Sequence, residues 1–292
     1  MSGSDAGVVE SRLQRGEVKL VTFSRAHLAG GLKLSREMGW MHRLDDWAVA
    51  LELGQGFVLE QAGEVVGTAL WWPYGETHAS TGMIIVAKRA QGRGLGALLM
   101  EVLLAAAQGR TITLNATAEG LALYQRRGFV AVGTIQQHQG LPTRRHEAPP
   151  VDLVRSMTPA DAKVVARLDR EATGWTRPDM LHRLAQLAQG YVLLRDGTPR
   201  GYAFCRLFGR GHVIGPVVAE NRDDARALIE AALAPLGTTF VRIDTSASTG
   251  LGPWLKGIGL AQVSEATTMV RGTQTPPCGP ARMFALANQS FN

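Results

Sequence analysis

Two stretches of this 292-residue chain repeat each other. GFVLEQAGEVVGTA at 56–69 aligns without gaps on GYVLLRDGTPRGYA at 190–203, sharing Gly56/Gly190, Val58/Val192, Leu59/Leu193, Gly63/Gly197, Gly67/Gly201 and Ala69/Ala203. Each stretch reads as an apolar strand, a polar Gly turn and a second strand, the pattern of a β-hairpin. The flanks repeat in the same order: SREMGW (35–40) with DREATGW (169–175), TLNAT (113–117) with RIDTS (242–246), and YQRRGF (124–129) with WLKGIGL (254–260). Matching blocks in one order define a duplicated domain.

Within each copy the periodicities alternate. In the first, Lys19–Phe23 reads as a strand, Leu28–Met38 and Asp46–Leu53 as helices, and Phe57–Glu60 with Val65–Trp72 as the hairpin. Gly82–Val86 is then a strand, Gly94–Ala107 a helix, Thr111–Asn115 a strand, Glu119–Arg127 a helix and Phe129–Gln137 a last strand. Strands alternating with helices in this way make an α/β chain. The Pro-rich, charged QGLPTRRHEAPP at 139–150 has no periodicity and marks the joint between copies. The expected organisation is a flexible tail over 1–18, a first domain over 19–140, a linker over 141–150 and a second domain over 151–272. A tail over 273–292 follows, whose apolar Ala281–Ala287 is expected to pack back on a domain.

Composition excludes several classes. With 45% hydrophobic and 19% charged residues the chain can build packed cores and is not wholly disordered. No apolar run approaches the roughly 20 residues of a membrane helix. The opening MSGSDAGVVESRLQRGEVKL lacks the basic start and apolar core of a secretory signal. Cys205 and Cys278 stand far apart without ligand-spaced partners, which argues against a disulfide framework or Cys-based zinc and suits a reducing cytoplasm. A cytoplasmic protein with no membrane partner is expected. The net charge of +6 admits an anionic partner, and most cations are Arg, whose planar fork suits phosphate. No single element interleaves aromatic and basic residues, which argues against nucleic acid.

The most informative segment is MIIVAKRAQGRGLGALLM at 83–100. An apolar strand ends at Val86, and Gln91-Gly92-Arg93-Gly94-Leu95-Gly96 opens a helix after a short basic linker. Three glycines let the backbone turn tightly and approach a ligand. The first helical turn carries N–H groups without intrahelical partners, so strand, loop and helix start can form a phosphate site. Lys88, Arg89 and Arg93 add positive charge there. By itself the loop is a weak signal, because a tight turn before a helix reads the same way.

VAKRAQGRGLGALLM closely resembles motif A of the GNAT superfamily of N-acetyltransferases, whose loop reads Gln/Arg-x-x-Gly-x-Gly/Ala; Gln91, Gly94 and Gly96 fill those positions. LNATAEGLALYQRRGF at 114–129 resembles the family's second signature, a strand and a short helix with Tyr, then Gly-Phe. The resemblance covers nearly all of the first domain, and the second half resembles the degenerate partner domain of tandem GNAT proteins. It implies two tandem GNAT-like domains, each a twisted mixed β-sheet flanked by helices, with acetyl-CoA in a slot beside the strand. Backbone groups of Ile84, Ile85 and Val86 would pair with the pantetheine arm. Gln91 marks the loop, and the N–H groups of Gly92, Arg93, Gly94, Leu95, Gly96 and Ala97 would hold the pyrophosphate. Asn115 and Thr117 could bind the cofactor through side-chain hydrogen bonds or cap the following helix. Tyr124 matches the family tyrosine that protonates the departing thiolate, although its neighbours Leu121 and Leu123 also read as a packed face.

The equivalent of the loop in the second copy, Ala219-Glu220-Asn221-Arg222-Asp223-Asp224, has no glycine and places carboxylates where a pyrophosphate would lie. That copy is expected to bind no CoA and to wall the acceptor site. Glu76 and His78, in YGETH before the motif A strand, are the candidates for the general base, against the plainer reading of two solvated side chains. Asp45 and Asp46 could attract a cationic acceptor but read better as helix caps; Trp40, Trp71 and Trp72 read as core or pocket walls, core being the safer reading, and Arg126 and Arg127 as a solvated face or contacts to the CoA phosphates. The expected activity is transfer of an acetyl group from acetyl-CoA to an amine of a small-molecule or peptide acceptor, without metal; a homodimer is left open. The rival from another class is a non-catalytic acetyl-CoA sensor.

Overall fold

A computed structural model describes residues 18–292. All but Val18 of the tail expected over 1–18 lies outside the described residues, and Val18 opens the first strand. The chain divides into two compact units that cut across the two copies: residues 18–73 with Thr81–Arg110, and Tyr74–Ser80 with Thr111–Asn292.

The first unit holds β1 (Val18–Thr22), α1 (Leu28–Glu37), α2 (Leu44–Leu53), β2 (Gln55–Gln61), most of β3 (Glu64–Tyr74), the greater part of β4 (His78–Val86) and α3 (Leu95–Ala106). The strands lie in the order β1-β2-β3-β4, with Val18 opposite Gln61 and Val58 opposite Thr68. Ala62 and Gly63 turn the β2–β3 hairpin with φ of +50° and +77°, the doubly positive geometry of a type I′ turn that matches strand twist. Val66–Trp72 of β3 are buried throughout. The indole N–H of Trp72 donates to Ala50 O in α2 at 2.8 Å, which ties helix to sheet. Trp47, also from α2 and fully buried, stacks on Phe23 at 5.7 Å and donates to Ser35 Oγ at 3.2 Å. Asp46 accepts the Arg43 N–H at 2.8 Å, so it caps α2 and offers no free charge to an acceptor. Trp47→Ala, by emptying this site, should destabilise the unit by about 3–5 kcal/mol, read from chemical denaturation of the full chain.

The second unit holds β5 (Thr111–Ala116), α4 (Leu121–Gln125), β6 (Val130–Gly140), β7 (Val154–Ser156), α5 (Ala162–Thr173), α6 (Pro178–Leu187), β8 (Gln189–Arg195) and β9 (Thr198–Phe208). It continues through β10 (Gly211–Ala219), α7 (Arg222–Leu233), β11 (Val241–Ser246), α8 (Gly252–Gly257), β12 (Ala261–Arg271) and β13 (Arg282–Ala285). Its strand order is β5-β12-β6-β11-β10-β9-β8-β7, with β13 on β10. The copies exchange strands here: β12 of the second copy lies between β5 and β6 of the first, with Thr268 opposite both Asn115 and Gly133. β6 lies in turn against β11, Ile135 opposite Ser246. This exchange is why the compact units do not follow the duplication. Leu193, Ile214, Leu228, Ile229, Leu233 and Ile243 centre the core. Only the first residues of β4 belong to this unit, and they pair in parallel with β5 as His78–Thr111, Ala79–Ile112 and Ser80–Thr113. Among the described residues no helix is long and apolar enough to cross a membrane.

Candidate active site

In the first unit, β4 carries a local irregularity ahead of the Gly-rich loop. Met83 adopts a φ of +51°, rare for a side chain of its size, and its carbonyl accepts the Thr68 hydroxyl at 2.7 Å. Beyond it Ile85 is buried, whereas Ile84 and Val86 are half-buried. Ala87 N–H donates to Val66 O at 2.9 Å, and Lys88–Ala90 makes one 3₁₀ turn. The Gln91 amide reaches back to Val86 O at 3.0 Å and closes the base of the loop.

Gly92 and Gly94 then take φ of +75° and +77°. A Cβ on either would meet nothing within 4 Å, so their need for glycine is conformational and the space in front of them is open. Gly94 is the N-cap of α3, and no side chain bonds to the helix start. The first ladder bond is Leu98 N–H to Gly94 O at 3.1 Å, which leaves the N–H groups of Leu95, Gly96 and Ala97 without intrahelical acceptors. The cations nearby are held from the β2–β3 hairpin: Arg89 pairs with Glu64, and Arg93 Nη1 donates to Gln61 Oε1 at 3.2 Å. Glu37 Oε1 accepts the Lys88 backbone N–H at 3.1 Å, fixing the loop from α1. The result is a preformed cradle of main-chain donors that fits a pyrophosphate.

The second copy builds the same place differently. Asn221 caps α7 by accepting Asp224 N–H at 2.9 Å, and the buried Asp224 carboxylate pairs with Arg195. Glu220 meets Arg200 at 3.4 Å. Where β10 parts from β11, after His212–Val241 and Val213–Arg242, β13 pairs with Val217–Ala219. Phe284 O of β13 accepts the Thr245 hydroxyl at 2.6 Å. In the second copy the chain's own strand thus lies beside Val217–Ala219, and carboxylates stand at the helix start.

Tyr124, on α4 in the second unit, is 8% exposed and packs edge-on against Phe129 with ring centroids 6.0 Å apart. Gly120 is required below it, because a Cβ there would sit 2.8 Å from the Tyr124 ring. Burial pushes the phenol up to about 12, so the group stays protonated, the form an acid must have. Among the described residues its hydroxyl has no hydrogen-bond partner.

The other predicted site residues divide. Glu76 is exposed on the β3–β4 turn. His78 corrects the sequence reading: it opens β4 instead of lying in a loop, and it is 5% exposed. Its Nδ1 is 2.9 Å from Thr77 Oγ1 and its Nε2 3.1 Å from Thr275 Oγ1, while Trp175 lies 6.0 Å from its ring. Burial lowers its pKa, and with hydroxyls on both nitrogens the imidazole works as a packed link to Thr275. Thr117 is exposed in the turn before α4, where its carbonyl accepts Gly120 N–H at 3.0 Å. Arg127 returns to Leu123 O at 3.1 Å, within its own helix, and Arg126 is exposed.

Asn115 is committed within its own unit. Its Oδ1 accepts the Thr268 hydroxyl at 2.8 Å, and its Nδ2 donates to Gln289 O at 2.9 Å and Asn292 Oδ1 at 2.8 Å. Sequence reasoning did not anticipate that Asn288–Asn292 would reach Asn115 and Ser80. The only signal for it was the apolar Ala281–Ala287 ahead of it.

A strand with a left-handed Met83, an open glycine cradle at the helix start that follows, and a duplicate whose helix start is capped by Asn221 define a tandem α/β fold in which only the first copy keeps the glycine loop. Two sequence profiles, each described as an Acetyltransferase (GNAT) domain, match residues 52–131 and 165–285. The chain therefore belongs to the GNAT acetyltransferase family and carries two of its domains in tandem. An uncharacterized N-acetyltransferase of Bacillus subtilis (strain 168), YitH, is 26% identical over 220 residues, 72% of this chain and 76% of that protein. In fold, a putative acetyltransferase from Pyrococcus horikoshii matches with a TM-score of 0.76 at 19% identity, covering 94% of this chain and 96% of that one. A tandem GNAT protein from the clavulanic acid biosynthesis pathway matches with a TM-score of 0.63 at 15% identity, covering 89% of this chain and 100% of that one.

Proposed function

We propose that the chain transfers an acetyl group from acetyl-CoA to an amine of a small molecule or peptide, and that only the first copy holds acetyl-CoA. The observation that carries this reading is the contrast between two equivalent helix starts. One is an open left-handed Gly94 cap; the other is an Asn221 cap backed by paired carboxylates. The N–H groups of Leu95, Gly96 and Ala97 receive the pyrophosphate, and the main chain of Ile84–Val86 receives the pantetheine arm as an added strand.

In the reaction a neutral amine attacks the thioester carbonyl. A C–N bond forms, the C–S bond breaks, and the Tyr124 hydroxyl gives its proton to the departing thiolate. The proton released from the amine passes to solvent and restores the phenol. Of the two residues considered for the base, Glu76 keeps the exposure that role requires, and the proposed chemistry asks for no metal.

The test is release of free thiol from acetyl-CoA in the presence of spermidine, glucosamine, lysine and an N-terminally free peptide, with the acetylated product identified by mass spectrometry. Thiol release that depends on one of these amines supports the reading. Tight acetyl-CoA binding with no thiol release for any amine would replace it with the sensor.

A further inference from the structure

Within the second unit, α5 and the start of α6 form a cleft of about 270 Å³. From α5 come Ala166, Arg167 and Arg170, which share one helix face because Arg170 lies three and four positions beyond the other two. From the start of α6 and just before it come Thr176, Arg177, Pro178 and Leu181. Two of the three arginines are already neutralised. Arg177, whose side chain is fully buried, donates through Nε and Nη2 to the two oxygens of Asp169 at 2.8 and 2.9 Å, and through Nη1 to Asn292 O. Arg167 pairs with Glu171 at 2.5 Å. Arg170 differs: among the described residues its guanidinium has neither an ion pair nor a hydrogen bond. Asp179, the acid of the first turn of α6, is exposed and does not line the cleft. The lining therefore carries one uncompensated positive charge.

The start of α6 adds donors of a second kind. Pro178 at its first position has no N–H, the ladder begins with Leu181 N–H to Arg177 O at 3.2 Å, and no side chain caps the helix. The N–H groups of Asp179 and Met180 are left without intrahelical acceptors, and the helix dipole favours an anion at that end. The Thr176 hydroxyl is exposed and makes no hydrogen bond among the described residues.

From this we infer that the α5–α6 cleft is a binding site for a phosphate monoester carrying a short apolar group. A planar carboxylate is satisfied by one guanidinium fork. Here the donors come from two elements, Arg170 on one and Thr176 with the helix start on the other, which suits the three terminal oxygens of a tetrahedral phosphate. At roughly 30 Å³ for each water of liquid, the cleft has the volume of about nine waters, and a five-atom phosphate takes about half of it. The remainder lies against Ala166, Pro178 and Leu181, which offer an apolar surface and no further charge. The site is built from the second copy alone, so it stands whether or not the first copy holds acetyl-CoA.

Calorimetric titration of the full chain with butyl phosphate, inorganic phosphate and butyrate, in a phosphate-free buffer of low ionic strength, tests this. Butyl phosphate is expected to bind most tightly of the three. Arg170→Gln should weaken it by at least about tenfold, the effect of losing a charge-assisted hydrogen bond, and Thr176→Val by about threefold. Both residues are exposed, so the melting temperatures of the two variants should match that of the unaltered chain. The Arg170-dependent binding should persist in the protein carrying Gly94→Glu and Gly96→Glu, which separates this cleft from the glycine cradle. Butyl phosphate binding that Arg170→Gln leaves intact would place the anion elsewhere. Tighter binding of butyrate than of butyl phosphate would make the cleft a carboxylate site, and no binding by the unaltered chain would leave it without a ligand of this class. Each of these three results overturns the inference.

Discussion

Calorimetric titration of the full chain with acetyl-CoA is expected to give one site, and Gly94→Glu combined with Gly96→Glu is expected to abolish it. Gly94 sits at φ +77° with nothing within 4 Å of a Cβ, so a side chain there finds room but not a comfortable backbone. The left-handed conformation costs a non-glycine residue roughly 1–2 kcal/mol. Each new carboxylate near a phosphate adds roughly 1–4 kcal/mol of repulsion at partly screened contact. The backbone strain falls on the free and bound protein alike, so the two carboxylates alone weaken binding, by at least about 2 kcal/mol, or about 30-fold. The second copy supplies the complementary experiment. Glu220→Ala with Asp223→Ala removes two of its three carboxylates, yet the stoichiometry should remain one. Asn221 still caps α7, and β13 still pairs with Val217–Ala219. Two comparable sites per chain, in either protein, would mean that β13 gives way to cofactor and that the duplicate is not closed.

The elements that define the site were legible because each rests on local pattern. Hydrophobic alternation located the hairpins, and the glycines marked the turn into α3, where observed and expected bounds differ by a residue or two. The β3–β4 connection was misjudged for a local reason. Tyr74 and His78 are polar residues that the sheet buries, so both strands run further toward the turn than their apolar runs suggest. The exchange of β12 and β6 could not be read at all, since strand order depends on which distant edges pair and leaves no periodicity in either strand. Its consequence is practical. A chain cut after Gly140 loses the neighbour that lies between β5 and β6, so the first copy cannot be assayed by truncation and point substitutions in the full chain must take its place. The roles of Asn115 and His78 were equally hidden, because their partners lie more than 150 positions away in sequence at Thr268, Gln289, Asn292 and Thr275.

Tyr124→Phe is expected to lower turnover on the order of 10²-fold while acetyl-CoA affinity stays within about twofold. The substitution removes one oxygen and keeps the ring against Phe129 and over Gly120, so packing changes little. A loss confined to turnover therefore reports on the hydroxyl. The pH dependence sharpens the test. An acid works while it is protonated and fails as pH rises through its pKa in the folded protein. Burial holds the Tyr124 phenol at about 12, so it remains a donor well above neutral pH. Single-turnover rates in the unaltered protein should show no alkaline fall from this group up to about pH 10, where an ordinary exposed tyrosine would be half ionised. The acid limb belongs to the amine, which must lose its proton to attack, and should appear at the same pH in Tyr124→Phe. If the phenylalanine protein instead matches the unaltered rate across this range, with the chemical step shown to limit turnover, the hydroxyl takes no part. Tyr124 would then serve only to pack α4 against Phe129, and the thiolate would take its proton from water.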